Sequence, residues 1–371
     1  MKIKRHRAAY AILAAGALVL AGCGTDQNTP QGGGNPALDN LQVECGTKDL
    51  SAEGSSAQKN AMDLFARDYG QKCEGQTVNY TKSGSGKGVA GFTAGQIDFG
   101  GSDSPLSVED GEVAKAAERC GGNPAWNIPM VFGPVAMAYN LPGVDNLVLN
   151  PDLIRKIYMG EIKTWDDPAI KALNPDANLP SIPVVPYYRS DESGTTSNFQ
   201  KYLSTATNGA FSGEGKIFQG GPGIGQGRDG SDQVAQSVEA TEGGITYVEW
   251  SFARNLGLGV AKLDSGSGPV ELNTKTVGKA IDEAQISGEG HDLRVNLESI
   301  YGNQDAGVYP LVLNTYELVC SKGYDPETAK SVKAFLKVAA NADPAQLEEA
   351  GYVALPENFK KRVLDAVNAI S

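Results

Sequence analysis

Between Cys45 and Asp103 the chain repeats one pattern three times: a short strand-like run, then a turn of small residues, with helical patterns filling the intervals. Residues 45–50 read as the first strand. A helix follows from Ser55-Ser56, with Ala61, Met62, Leu64, Phe65 and Tyr69 on one face. Residues 76–82 read as the second strand. Ser83-Gly84-Ser85-Gly86 then opens a helix through Val89 and Phe92. Residues 97–100 form the third strand and run into Gly101-Ser102-Asp103. Successive βα units close into an open parallel sheet. Further strands are expected at 184–189, 244–248 and 259–263. The long apolar runs 128–141 and 309–320 read as extended crossings between two bodies. Two closing helices carry Val332, Phe335, Leu336 and Ala339, and Phe359, Val363, Leu364, Val367 and Ile370. The expected architecture is α/β and two-lobed, each lobe an open sheet flanked by helices. Residues 43–135 with 307–371 form lobe 1, and 136–306 form lobe 2.

The N-terminus sets the compartment. Lys2, Lys4, Arg5 and Arg7 precede an apolar run from Ala8 to Gly22, too short for an ordinary membrane span and laid out as a signal peptide. The run ends Leu20-Ala21-Gly22-Cys23, which resembles a bacterial lipobox. Residues 1–22 are therefore expected to be removed and Cys23 to be diacylated, and two acyl chains suffice for stable anchoring. Plain secretion is the alternative. Residues 23–42, rich in Gly, Asn, Gln and Pro, read as the lipidated Cys and a flexible tether. The expected location is the extracytoplasmic face of the cell membrane.

Outside the cytoplasm the remaining Cys45, Cys73, Cys120 and Cys320 suggest two disulfides, with three connectivities open. The preferred pairing is Cys45–Cys73 and Cys120–Cys320, because the first two would stand near the starts of neighbouring parallel strands. Free buried thiols are the alternative, and the spacings match no zinc motif.

Composition excludes several classes. The 371 residues carry 44 acids against 32 Lys and Arg, a net charge of −12, which argues against nucleic acid as a partner. Two histidines, His6 and His291, leave little for a His-based metal site or a His-driven enzyme. No metal, cofactor or catalytic residue is expected.

Three turns share one chemistry: Gly54-Ser55-Ser56-Ala57, Ser83-Gly84-Ser85-Gly86, and Arg189-Ser190-Asp191-Glu192-Ser193-Gly194-Thr195-Thr196. Each places hydroxyls and glycines at a helix start, where free N–H groups and the positive end of the dipole suit an anion. Any one of them alone is also an ordinary N-cap. Together, at the carboxyl ends of strands, they form a ligand edge. Arg189 can grip an oxyanion through two donors, and is also expected to pair with Asp191. Asp103 points at the same edge unless it merely caps a turn.

Three stretches carry a family resemblance: 78–106 (VNYTKSGSGKGVAGFTAGQIDFGGSDSPL), 187–203 (YYRSDESGTTSNFQKYL) and 243–253 (GGITYVEWSFA). From about Leu50 to Ile370 the chain resembles the phosphate-binding lipoproteins of bacterial ABC phosphate importers, a branch of the periplasmic binding proteins. The resemblance implies a periplasmic-binding-protein fold closing on inorganic phosphate, an ABC permease as partner, and a monomer held to the membrane by its lipid. It implies phosphate contacts from the Ser56 hydroxyl, the Ala57 amide, Ser85, Arg189, the Ser193 hydroxyl, the Gly194 amide, and the Thr195 amide and hydroxyl. Asp103 would accept a hydrogen bond from the protonated ligand. Ala57 replaces a bulkier residue, and Glu192 replaces a glycine and adds charge near the rim.

Other motifs weigh less. Gly86-x-Gly88-x-x-Gly91 matches a dinucleotide fingerprint but reads as helix packing. Ser56-Ala57-Gln58-Lys59 matches Ser-x-x-Lys without the partner motifs of penicillin-recognising enzymes. The Gly-rich run 219–230 reads as a loop over the cleft rim, where Arg228 and Asp229 could touch ligand. His291 reads as a surface residue. The competing functions are a sulfate receptor, a phosphate-ester hydrolase, and an adhesin or signalling protein using the fold without ligand.

Overall fold

The computed structural model describes residues 35–371. The signal segment 1–22 and Cys23 lie outside the described residues. No helix among those described is long and apolar enough to cross a membrane.

The elements that build the main sheet and its flanks run as follows. β1 (Leu50–Gly54), α1 (Lys59–Lys72), β2 (Val78–Thr81), α2 (Ser85–Thr93), β3 (Phe99–Ser102) and α3 (Glu112–Arg119) precede the long β4 (Ala125–Tyr139). Then come α4 (Pro151–Tyr158), β5 (Val185–Arg189), α5 (Gly194–Ala206), β6 (Gln226–Arg228), α6 (Gly230–Glu239), β7 (Gly244–Glu249), α7 (Trp250–Asn255) and β8 (Gly259–Val260). β9 (Val312–Cys320), α8 (Pro326–Ala340) and α9 (Glu357–Ala369) close the chain. The strands form one nine-stranded sheet in the order β2-β1-β3-β9-β4-β7-β5-β6, with β8 paired to β4. Residues 35–371 are one compact unit.

β4 makes this sheet continuous. Its first part pairs antiparallel with β9, from Ala125↔Cys320 to Pro134↔Val312. One residue later its partner changes to β7, with Val135 opposite Glu249. From Asn127 to Tyr139 it is buried, so it reads as an unbroken apolar run rather than an alternating one. The expected separate open sheets are thus fused along one strand. On either side the parallel sets lie apart: β2-β1-β3 at one end, β7-β5-β6 at the other.

The first strand departs from the sequence reading. It starts at Leu50 rather than ending there, and buries Leu50, Ala52 and Gly54 on alternate positions. Residues 45–49 are held elsewhere: Gly46 packs so closely on Ser331 that a Cβ would come within 2.2 Å of its Oγ. α1 begins at Lys59, so Ser55–Gln58 form a turn before the helix rather than its first residues. Gly88 and Gly91 do pack inside α2, against the Gly101 carbonyl and Glu53.

Two apolar clusters hold these layers. One packs α1, α8 and α9 on β1 and β3, with Phe335 stacked on Phe99 at 5.0 Å and edge-on to Tyr69 at 5.7 Å. The other includes Phe199 of α5 stacked on Tyr247 of β7 at 4.1 Å.

Cys45 is bonded to Cys73 and Cys120 to Cys320. The first pair shares the β1–β2 register: its separation of 28 residues equals the offset between Leu50 and Val78. It ties the strands at their amino ends. By loop-closure entropy this bond stabilises the fold by about 3–4 kcal/mol. Replacing Cys45 and Cys73 by Ala should lower the urea unfolding free energy by about that amount. Ligand affinity should be unaffected, because the carboxyl ends of β1 and β2 lie at the other end of both strands.

Candidate functional site

Strands of both parallel sets end at one place. β1 leads into Ser55 and Ser56, β2 into Ser83–Ser85, β3 into Asp103, β5 into Arg189 and the turn to Gly194, and β6 into Asp229–Ser231. Backbone bonds tie the turns together: Ser55 N–H to the Gly101 carbonyl at 2.9 Å, Gly84 N–H to the Gly54 carbonyl at 2.7 Å, and Ser190 N–H to the Arg228 carbonyl at 3.0 Å. Gly54 has φ +144°, and a Cβ there would strike the Gly101 carbonyl, so only glycine lets β1 and β3 converge.

Asp103 lies at the centre, 3% exposed. Its Oδ1 accepts from the hydroxyls of Ser55 and Thr315 (3.3 Å), and its Oδ2 from Thr195 (3.1 Å). Its N–H donates to Ser85 Oγ at 3.1 Å, and its carbonyl accepts from Asn198 Nδ2 at 2.7 Å. Burial raises its pKa, opposed by the Ser55 hydrogen bond and by the charge of Arg189.

Arg189, 2% exposed, holds Asp191 through Nε at 2.7 Å and Nη2 at 2.5 Å. Burial pushes Asp191 upward, but these bonds and the Arg189 charge hold it below the usual range. Nη1 turns the other way, to Ser231 Oγ at 3.3 Å. Tyr247 OH accepts the Arg189 N–H at 3.2 Å and shares a 2.7 Å bond with Thr196 Oγ1, so the Phe199–Tyr247 stack also positions the end of β5.

Ser193 caps α5, its Oγ accepting from Thr196 N–H at 3.2 Å. The N–H groups of Gly194 and Thr195 fall in the first turn, where a helix offers no internal acceptor. Gly194 is there for closeness: a Cβ would sit 2.5 Å from Ser85 Oγ and 2.7 Å from Asp103 Cβ. The two sides also meet at the rim, through Lys82–Asp232 and Lys216–Glu112, each 2.6 Å. A cavity of about 270 Å³ beside Asp103 is lined by Ser104 and Tyr316 from one side and Asn198, Lys201 and Tyr301 from the other.

The structure thus brings Ser56, Ala57, Ser85, Asp103, Arg189, Ser193, Gly194 and Thr195 to one locus. The Ala57 amide, assigned to ligand by resemblance, donates here to Ser55 Oγ at 3.1 Å, and the Ala57 carbonyl accepts from Tyr352 OH at 2.6 Å. The Glu192 carbonyl accepts Gly86 N–H at 2.9 Å, and its side chain lies over Gly86 with no room for a Cβ between them. Arg228 points away, to Ser237 and Gln226, with its guanidinium 5.5 Å from the centre of the Tyr187 ring. Asp229 accepts from Ser190 Oγ. Lys59 pairs with Asp63. His291 lies against Trp126.

Sequence reasoning missed Asn198, Ser231 and Thr315, and gave Ser55 no role of its own within the first hydroxyl turn. Ser231 had a signal: Arg228-Asp229-Gly230-Ser231 is a further strand–turn–helix start. Thr315 had none, being one of several polar residues, with Asn314 and Glu317, inside a fully buried strand. Among the described residues, no cluster of His, Cys, Asp and Glu could hold a metal ion.

Two further carboxyls are buried with Asp103. Glu249 accepts from the N–H and hydroxyl of Ser251. Burial, with Asp103 adding to it, pushes Glu249 up to about 8. Burial also pushes Glu317 well above the carboxylate range, and neither of its oxygens has a hydrogen-bond partner among the described residues. Both shifts oppose a further negative charge beside Asp103.

The PBP superfamily domain model matches residues 30–343. Phosphate-binding protein PstS 3 of Mycobacterium tuberculosis is 48% identical over 375 residues, covering all of both chains. PstS 2 of the same organism is 44% identical with the same coverage. The chain belongs to the PBP superfamily and, within it, to the family of these phosphate-binding proteins. Solved structures agree on the fold. A periplasmic phosphate-binding protein bound with phosphate matches with TM-score 0.68 at 22% identity, covering 85% of this chain and 93% of that one. The phosphate binding protein of Stenotrophomonas maltophilia matches with TM-score 0.66 at 21% identity, covering 86% and 93%.

Glu249 makes a stability prediction. The folded protein keeps its proton up to about pH 8, whereas the unfolded chain releases it near the ordinary pKa of 4.5. Its contribution is complete below that ordinary value. It falls by about 1.4 kcal/mol per pH unit as pH rises towards 8, then levels off. Glu249→Gln should flatten the difference in melting temperature between pH 5 and 8 relative to wild type. Parallel curves would show that Glu249 is ionised when folded.

Proposed function

We propose that this chain is an extracytoplasmic receptor that binds inorganic phosphate between two lobes and delivers it to the permease of an ABC phosphate importer. No bond is made or broken. The lobes are residues 43–135 with 307–371, and 136–306, joined where β4 crosses at 135–136 and where the chain returns at 306–307. The chain acts as a monomer, without a cofactor, and is tethered by acylation of Cys23 through residues 23–42. Relatives named phosphate-binding proteins over their full length support the ligand.

One observation carries the reading: a buried carboxylate among hydrogen-bond donors. An anion site made only of donors would take any tetrahedral oxyanion. A carboxylate has about four lone-pair sites. Oδ1 of Asp103 accepts from Ser55 and Thr315, and Oδ2 only from Thr195. Oδ2 is therefore the atom with room for a proton from the ligand. Phosphate near pH 7 carries such a proton and sulfate does not, so sulfate would set acceptor against acceptor in a desolvated cleft. The remaining ligand oxygens face Arg189, the Gly194 and Thr195 amides, and the hydroxyls of Ser56, Ser85 and Ser193.

Competitive calorimetry at pH 7 tests this. Wild type should prefer phosphate to sulfate by orders of magnitude. Asp103→Asn, which offers an amide donor, should narrow that ratio by about tenfold or more, mainly by admitting sulfate. Lowering the pH through the raised pKa of Asp103 should narrow it in wild type too, because a protonated Asp103 can donate. A mutant keeping the full ratio would remove Asp103 as the discriminator.

Closure has its own measurement. With ligand groups drawn from both lobes, phosphate should favour a closed state. Small-angle scattering should give a smaller radius of gyration at saturating phosphate than in phosphate-free protein. Superimposable curves would count against a hinge.

A further inference from the structure

Ser231 belongs to none of the turns through which the site was read, yet it is 1% exposed and touches two of its residues. It stands in the first turn of α6, beyond β6. Its N–H donates to Ser56 Oγ at 3.0 Å, and the two hydroxyl oxygens are 2.9 Å apart. Its own Oγ accepts from Arg189 Nη1 at 3.3 Å. Ser56 follows β1, whereas Ser231 and Arg189 come from the β5–β6 side. The contacts therefore span the cleft.

The donors fix how these hydroxyls are used. An arginine and a backbone N–H can only donate, so Ser231 Oγ accepts from Arg189 and Ser56 Oγ accepts from Ser231 N–H. One hydroxyl must donate to the other. If Ser231 donates, Ser56 Oγ accepts twice and its own hydrogen points away. If Ser56 donates, Ser231 Oγ accepts twice and its hydrogen points away instead. In either case the pair accepts internally and has one O–H left to offer. We propose that Ser231 is a positioning residue of the anion site: with Arg189 it orders the Ser56 hydroxyl across the cleft, so that the pair presents a single O–H donor to a bare oxygen of the bound oxyanion. This rests on the reading of the site as a phosphate site. It adds a polarity to it: the ligand turns its proton towards Asp103 and an unprotonated oxygen towards Ser56, Ser231 and Arg189.

The experiment is phosphate titration calorimetry on wild type, Ser231→Ala, Ser231→Thr, Ser56→Ala and the double variant with Ala at both serines. Thermal melts confirm that each is folded. Ser231→Ala should weaken phosphate binding by about tenfold, the worth of one hydrogen bond to a charged group. Ser231→Thr, which keeps the hydroxyl, should recover most of that loss. Because the two serines together supply one donor, the double variant should bind within about threefold of Ser56→Ala alone. A merely structural role would lower melting temperature without this coupling. Unchanged affinity in Ser231→Ala, or losses that multiply in the double variant, would overturn the inference while leaving the phosphate reading intact. A wild type that binds no phosphate would overturn both.

Discussion

Taking a carboxylate out of water costs several kcal/mol unless donors surround it. Asp103 is buried on those terms, and much of the site follows from how its oxygens are satisfied. Ser55 comes from the end of β1, Thr315 from β9 and Thr195 from α5. Its main chain is held by Ser85 at the start of α2 and by Asn198 one turn along α5. Segments distant in sequence thus converge on one residue. A side chain that must be paired wherever it is buried fixes the relative placement of those that pair it.

The sheet makes that convergence geometrically available. β4 changes partner from β9 to β7 within one residue, between Pro134 and Val135. One parallel set is paired to β4 through β7 and the other reaches it through β9, and their carboxyl ends face a common space. Glycine supplies the final closeness. At Gly54 a side chain would meet the Gly101 carbonyl, and at Gly194 it would meet Ser85 and Asp103. The apolar layers act one step further out, as the stack of Phe199 on Tyr247 holds the start of α5 against the end of β5.

What could be read from the sequence follows the same logic. The βα repeat, the two long extended runs and the three hydroxyl turns are local patterns, and each appears in the structure near its expected place. β1 was misplaced because its buried positions, Leu50, Ala52 and Gly54, are mostly small, so alternation gave little contrast. Ser231 sits in a turn of the same kind as the others but directly after the Gly-rich run 219–230, where composition suggests loop rather than helix start. Thr315 and Asn198 were invisible for a different reason. Their role depends on which segments meet across the sheet, and neither carries that information locally. Glu249 and Glu317 show the limit most clearly: nothing in their local sequence marks these acids for burial, yet the fold buries both close enough to Asp103 to feel its charge.

Charge gives the site its character. The chain carries a net −12, so its overall field repels an anion rather than gathering it. Within the site, Arg189 is already paired with Asp191, and Asp103 adds a further negative charge. Ionisation of Glu249 or Glu317 would worsen this, and burial opposes it. A bound anion is then held chiefly by neutral dipoles: hydroxyls, backbone amides and helix starts. Such donors are weak against water but strong in a dry, closed space, where the effective dielectric is lower and no reorganisation is needed. Affinity in a site of this kind depends on closure. Were Ser231 to part from Ser56 and Thr195 from Asp103, water would return to the donors and a bound anion would lose its advantage over bulk solvent. A receptor that must grip and then surrender its ligand gains from that arrangement, because separating the two sides is enough to weaken every contact together.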